Sequence, residues 1–144
     1  MLGTNDCWGD RSSSDYAANI AQGAAAYVAA DIKVILNQPP FATPGVTVGG
    51  QLFSDARINL LRDYCAELPA LADDVDIFLG DTFAFEWFAN NQSQLSDGVH
   101  PSQAGVDVLG TLWAKGAERA LGLAPFDSDI AAAVWAYADR TLTA

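Results

Sequence analysis

Apolar residues that recur every three or four positions predict three helices in this chain. The first is expected from about Ser14, which suits an N-cap position. The second is expected from about Ser54 to Leu68, where Pro69 limits it. The third, a long helix, is expected after Pro101. These three segments supply most of the predicted regular structure.

Two short runs of β-branched and apolar residues predict buried strands between the helices. Residues 32–37 form one run, which ends at a Gln-Pro-Pro sequence, and residues 75–79 form the other. The remaining segments are expected to be irregular. Residues 1–13 and 41–52 are predicted loops, and residues 81–96 a short helix that runs into a loop.

Strands that alternate with helices indicate an α/β fold with a parallel sheet. Parallel strands are buried on both faces, so a sheet of two or three strands is too small to cover its own apolar surface. The sequence therefore predicts that this chain forms the C-terminal part of a larger sheet.

Composition and charge narrow the function classes. Hydrophobic residues make up 51% of the 144 residues and charged residues 17%, which excludes intrinsic disorder and favours one globular domain. The net charge is −11 with only 7 Lys and Arg, so neither a nucleic acid nor an anionic membrane surface is expected as a partner. The sequence also contains no apolar run near the roughly 20 residues of a membrane span, and residues 1–6 do not form a signal peptide. The cellular location is left open.

Cysteine and histidine are scarce in this sequence. Two cysteines are too few for a disulfide scaffold, and a single histidine gives no zinc constellation. Neither a metal nor an organic cofactor is implied.

The strongest chemical signal is Asp97-Gly98-Val99-His100-Pro101. An Asp three residues before a His, in a loop that opens a helix, can accept the Nδ1 proton of the imidazole. That contact fixes the tautomer and leaves Nε2 free as a general base. The alternative is an Asp that only caps the loop beside a partly exposed His.

A second signal is Gly3-Thr4-Asn5-Asp6. An Asn at the carboxyl end of a parallel strand points into the crevice where such folds bind ligands, and its amide can donate to a developing oxyanion. The alternative is an ordinary turn, because Gly, Asn and Asp are common turn residues.

Together the two blocks resemble the SGNH hydrolases, also called the GDSL esterase/lipase family. Gly3, Asn5 and Asp6 match that family's Gly-x-Asn-Asp block, and Asp97, His100 and Pro101 match its Asp-x-x-His-Pro block. The resemblance covers about residues 1–125. It implies the C-terminal half of a flavodoxin-like, three-layer parallel sheet, with residues 126–144 as a separate helical segment.

The resemblance also implies roles in ester hydrolysis on an ester substrate, with an acetylated polysaccharide as one candidate. His100 would be the general base, Asp97 its orienting partner, Asn5 the oxyanion donor, and Gly3 would keep the turn tight. The family's nucleophilic Ser lies in a Gly-Asp-Ser block, and no such block occurs in this sequence. The chain alone is therefore expected to be inactive.

Other candidates are weaker. Cys7 invites the idea of a thiol nucleophile, but a lone Cys is more often a small buried hydrophobe, and Cys65 is assigned to the core. The aromatic residues between positions 83 and 88 are either core or the wall of an acyl or sugar pocket. The serines at positions 12–14 are read as a loop and an N-cap.

The C-terminal segment keeps a second function open. An amphipathic stretch from near Ser128 is similar to strings in phage structural and tail-associated proteins, or it is a helix that docks on this domain or on another subunit. The alternative to an esterase is thus a non-catalytic module of a phage virion or other assembly. In either case the incomplete sheet predicts self-association or a partner chain.

Overall fold

The computed structural model describes residues 3–123, and for Asn5 it describes the backbone. The chain is mixed α/β, with a small parallel sheet. The sequence-based expectation of the α/β class is confirmed at this level. The segment 126–144, predicted to be helical, lies outside the described residues.

Five α-helices and four short strands make up the described part of the chain. The helices are α1 Thr4–Trp8, α2 Ser13–Val28, α3 Asp55–Glu67, α4 Ala84–Asn90 and α5 Gln103–Ala120. The strands are β1 Val34–Leu36, β2 Thr47–Val48, β3 Gln51–Leu52 and β4 Ile77–Leu79. Single 3-10 turns follow α3, at Leu68–Leu71, and α4, at Gln92–Gln94.

The parallel sheet consists of β1 and β4. Val34 is paired with Ile77 and Leu36 with Leu79, and the connection between the two strands contains α3. The predicted strands at 32–37 and 75–79 thus exist, pair in parallel and are shorter than expected. Helix α2 packs against β1 and α3, and α5 packs against β4.

Three expectations about local structure were wrong. Residues 1–13 were expected to be a loop, but Thr4–Trp8 form helix α1, in which the Asp6 carboxylate accepts the Gly3 N–H. The N-cap of α2 is Ser12 rather than Ser14, because the Ser12 hydroxyl accepts the N–H of Asp15. Residues 41–52 were expected to be a loop, but they contain the antiparallel hairpin β2–β3.

The core lies between α1, α2, α3 and α4. Its largest fully buried side chains include Phe53, Leu61, Tyr64, Phe85 and Phe88. Tyr64 stacks on a tyrosine of α2 with 4.2 Å between ring centroids, and its hydroxyl donates to the Arg11 carbonyl. The aromatic run that follows β4 is therefore divided, with Phe85 and Phe88 in the core and Phe83 exposed.

Candidate active site

The carboxylate of Asp97 and the imidazole of His100 are in direct contact. Asp97 Oδ2 lies 2.7 Å from His100 Nδ1. The other oxygen, Oδ1, accepts the backbone N–H groups of Val99 and His100 at 3.0 and 2.8 Å. Because one carboxylate receives three hydrogen bonds, it is fixed in orientation. The predicted contact of the Asp with Nδ1 is confirmed, and the loop-capping alternative describes part of the same arrangement.

The electrostatics of this pair favour an ionised Asp97. The His100 backbone N–H, followed by its side-chain contact and the Val99 N–H, lowers the pKa of Asp97 to about 2. An ionised Asp97 can accept the Nδ1 proton, which leaves Nε2 available as a base. Both side chains are open to solvent, at 43% exposure for Asp97 and 56% for His100.

The backbone on both sides of the pair is closed into a tight loop. The N–H and the hydroxyl of Ser96 both donate to the His100 carbonyl, at 2.7 and 3.0 Å. Leu95 and Pro101 form an isolated antiparallel bridge, and Val99 is buried in the core. The loop therefore holds His100 on a rigid base at the start of α5.

Gly98 is required at its position in this loop. Its φ is +84°, and a Cβ there would lie 2.7 Å from Val46 Cγ2. Its carbonyl accepts the Thr43 N–H at 2.7 Å. The segment that follows β1 thus packs directly on the loop of Asp97 and His100. Sequence reasoning treated this segment as a plain loop and missed its supporting role.

The Gly3–Asp6 block contacts the same segment at another point. Gly3 has a φ of +97°, and a Cβ there would lie 3.1 Å from Pro39 Cγ. Asn5 is the second residue of α1, which begins directly after this glycine. Gly3 therefore lies beside Pro39, just after the carboxyl end of β1, and Gly98 lies beside Val46, further along the same segment. Both predicted blocks meet the segment from Pro39 to Val46.

Cys7 and Cys65 are core residues. Cys7 is fully buried, its Sγ lies 3.0 Å from the Thr4 carbonyl oxygen, and burial raises its pKa to about 11. Burial likewise raises the pKa of Cys65 to about 12. A thiolate is the nucleophilic form of cysteine, and this environment disfavours it. The thiol-nucleophile idea therefore has no support in the structure.

Sequence reasoning also missed Asp81, which follows β4 and is fully buried. Its two carboxylate oxygens accept the N–H groups of Phe83 and Ala84, at 3.0 and 2.9 Å. Its own N–H donates to the Asn37 side chain at 2.7 Å. Asp81 thus holds the turn that leads into α4 and joins the ends of the two strands. An Asp three residues before the aromatic helix was the signal for this role.

Within residues 3–123, no group of three His, Cys, Asp or Glu side chains is placed to hold a metal ion. In the same range, no helix is long and apolar enough to cross a membrane. Two open grooves, of about 440 and 190 Å³, run along the outer edges of β4 and β1, and neither is lined by Asp97 or His100.

Comparisons with protein-family models, with curated proteins and with solved structures found no match to this chain.

Proposed function

We propose that this chain carries the base-bearing part of a serine-type ester hydrolase whose nucleophilic Ser lies on a segment outside this chain. The contact that carries the proposal is the 2.7 Å approach of Asp97 Oδ2 to His100 Nδ1. That contact orients the imidazole so that Nε2 can take the proton of a Ser hydroxyl. The resemblance of the two sequence blocks to the SGNH hydrolases supplies the reaction class.

The proposed reaction proceeds through an acyl-enzyme. The Ser oxygen attacks the ester carbonyl carbon while His100 Nε2 takes the hydroxyl proton, and Asn5 donates to the oxyanion that forms. Collapse of the tetrahedral intermediate expels the alcohol, which receives the proton from His100. Water then attacks the acyl group in the same way, and the acid and the free Ser are released. No metal or organic cofactor takes part in these steps.

We further propose that the described sheet is the C-terminal half of a flavodoxin-like sheet, completed by a strand on the outer edge of β1. Val34 donates to Asp76, and Leu36 accepts from Gly80, so the N–H and C=O of Ile35 between them point to the opposite edge. Within residues 3–123 no strand lies along that edge.

The outer edge of β4 is closed at its first residue, and this difference from β1 supports the proposal. At β4, the outward-pointing groups of Ile77 are already hydrogen-bonded. The Ile77 N–H donates to Asp73 Oδ1, and the Ile77 carbonyl accepts the Asp73 N–H. At β1, the edge lines a groove of about 190 Å³ that has no charged residue in its wall. The side-chain oxygen of Gln38 in that wall is buried and lacks a partner within the described residues. An apolar, unprotected edge favours a covering strand.

The test is an esterase assay of two forms of the protein. The chain of 144 residues should show almost no turnover of 4-nitrophenyl acetate, because it lacks the Ser block. The chain extended by the in-frame upstream coding sequence, where that sequence encodes a Gly-Asp-Ser block, should be active. Its Ser should then react with a fluorophosphonate probe.

Variants of the extended form test the roles of the pair. His100→Ala should lower kcat by about 10²–10⁴-fold, the usual contribution of a general base, and Asp97→Asn should lower it less. Asp31→Asn, which changes an exposed carboxylate before β1, serves as the matched control and should not alter kcat. An active form whose kcat is unaffected by His100→Ala would refute the proposed site. Absence of any such upstream block would instead favour the virion or assembly module.

A further inference from the structure

The Arg57 side chain donates five hydrogen bonds, to the end of α1, the turn after it and strand β3. Arg57 is the third residue of α3, and its side chain is 17% exposed. Its Nε and Nη2 donate to the two carboxylate oxygens of Asp10 at 2.9 and 3.1 Å. Nη2 also donates to the Trp8 carbonyl at 3.0 Å, and Nη1 to the Leu52 carbonyl and the Gln51 side chain at 2.8 and 3.2 Å.

One group of these contacts lies at the end of α1 and just after it, and α1 is the helix that contains Thr4, Asn5 and Asp6. Trp8 is the last residue of α1, and Asp10 follows it in the turn that leads to α2. The hydrogen bond to the Trp8 carbonyl therefore attaches Arg57 to the C-terminal end of the helix that carries most of the Gly3–Asp6 block. A positive charge in the first turn of α3 is unfavourable because the N-terminal end of the helix dipole is also positive. The hydrogen bonds to Asp10, Trp8 and Leu52 offset this cost.

The other group of contacts reaches the loop of Asp97 and His100 through the hairpin. Gln51 and Leu52 form β3, and the next residue, Phe53, exchanges hydrogen bonds with Val46 and Gly45 at 2.8 and 2.7 Å. Val46 in turn rests on Gly98, as described above. A continuous path of hydrogen bonds and packing therefore joins Arg57 to the base-bearing loop.

We propose that Arg57 is a positioning residue that holds the Gly3–Asp6 block and the loop of Asp97 and His100 in one fixed arrangement. This inference rests on the proposed function, in which Asn5 of the first block is the oxyanion donor and His100 is the base. Arg suits this role because its planar fork offers five donors, whereas the ammonium of Lys would reach fewer of these acceptors. The guanidinium hydrogen bond also keeps the pKa of Asp10 below its usual value.

The experiment compares Arg57→Lys with Arg62→Lys in the full chain by NMR. Arg62 lies on the same helix and is 53% exposed. Among the described residues its polar contacts are with Asn59 and Glu86, and its guanidinium lies 5.3 Å from the centre of the Phe85 ring, so it is a control arginine without contacts to α1 or the hairpin. We expect Arg57→Lys to move the amide signals of residues 3–8 and 97–100 together, along with the imidazole signal of His100. Amide exchange at Gly45 and Phe53 should become about tenfold faster, which is the effect of losing one charge-assisted hydrogen bond.

Two further measurements separate positioning from a general loss of stability. Amide exchange at Val34 and Gly80, which pair β1 with β4, should change less than threefold in Arg57→Lys. Should Arg57→Lys not fold, Asp10→Asn provides the same test, because Asn tolerates the φ of +51° at that position. Signals that stay in place at residues 97–100 in the folded variant would overturn the proposal. The NMR signals and the amide exchange rates can be measured without esterase activity. The positioning role of Arg57 can therefore be tested even if the proposed esterase function is wrong.

Discussion

Replacing Gly98 with Ala tests whether the segment after β1 supports the base-bearing loop. Two costs are expected at this position. A residue with a side chain at a φ of +84° pays a left-handed conformational penalty of about 1–2 kcal/mol. The new Cβ would also lie 2.7, 3.1 and 3.2 Å from three carbons of Val46, and overpacking of this kind costs about 1–3 kcal/mol.

Comparison with Gly45→Ala separates the two costs, because Gly45→Ala pays only the backbone penalty. Gly45 has a φ of +80°, and a Cβ there would meet no atom within 4 Å. The backbone penalty and the change in unfolded-state entropy are thus nearly common to both variants. The difference between them should be the Val46 contact, at roughly 1–3 kcal/mol, with Gly98→Ala the less stable.

Urea unfolding at neutral pH, followed by tryptophan fluorescence and by circular dichroism, measures this difference. Adding Val46→Ala to Gly98→Ala should recover part of it, because the substitution removes the two closest carbons. Equal free energies of unfolding for the Gly98 and Gly45 variants, within about 0.5 kcal/mol, would refute the reasoning. The reasoning would also be refuted if the loss of stability in the Gly98→Ala/Val46→Ala double variant equalled the sum of the losses in the two single variants.

Three further predictions concern single side chains. The pKa of Asp97 is lowered to about 2 from a usual 3.8, so the ionised carboxylate stabilises the fold above about pH 4 and this effect is lost as the pH falls toward 2. Urea unfolding between pH 4 and pH 2 should therefore show a smaller loss of stability with acid for Asp97→Asn than for the wild type. Cys7, whose pKa is raised to about 11 by burial, should react with iodoacetamide at pH 8 only as fast as the chain unfolds, measured by mass spectrometry. Asp81→Ala leaves two N–H groups at the start of α4 without their acceptor and should cost about 1–3 kcal/mol for each, while Asp81→Asn, which keeps one oxygen, should cost less in the same unfolding assay.

Element types could be predicted from the sequence wherever periodicity was strong, but strand ends could not. The strand expected at 75–79 begins only at Ile77, because the Asp73 carboxylate accepts the N–H groups of Val75, Asp76 and Ile77 and holds a turn there. An apolar run shows which residues are buried. It does not show where a nearby carboxylate accepts backbone N–H groups and so prevents them from pairing in a sheet.

The missed elements had weaker but recognisable signals. Ser12 is followed three residues later by Asp15, the spacing of a capping box, and this favours Ser12 over Ser14 as the N-cap. Gly49-Gly50 is a hairpin turn signal, and both residues have a positive φ in the structure. Helix α1 has only five residues and no room for a periodic pattern, so its helical state depends on the Asp6 contact and on packing against α3.

The candidate site separates into a part that is local in sequence and a part that is not. The hydrogen bonds between Asp97, His100 and their neighbours lie within five consecutive residues, from Ser96 to His100, and the Asp-x-x-His spacing predicted the pair directly. The arrangement of Gly3–Asp6 relative to that loop depends on Arg57 and on the hairpin, and neither contact is encoded by spacing along the chain. The Arg57 experiment therefore tests the long-range arrangement by itself, whereas the His100→Ala and Asp97→Asn variants of the extended form test the hydrolase proposal.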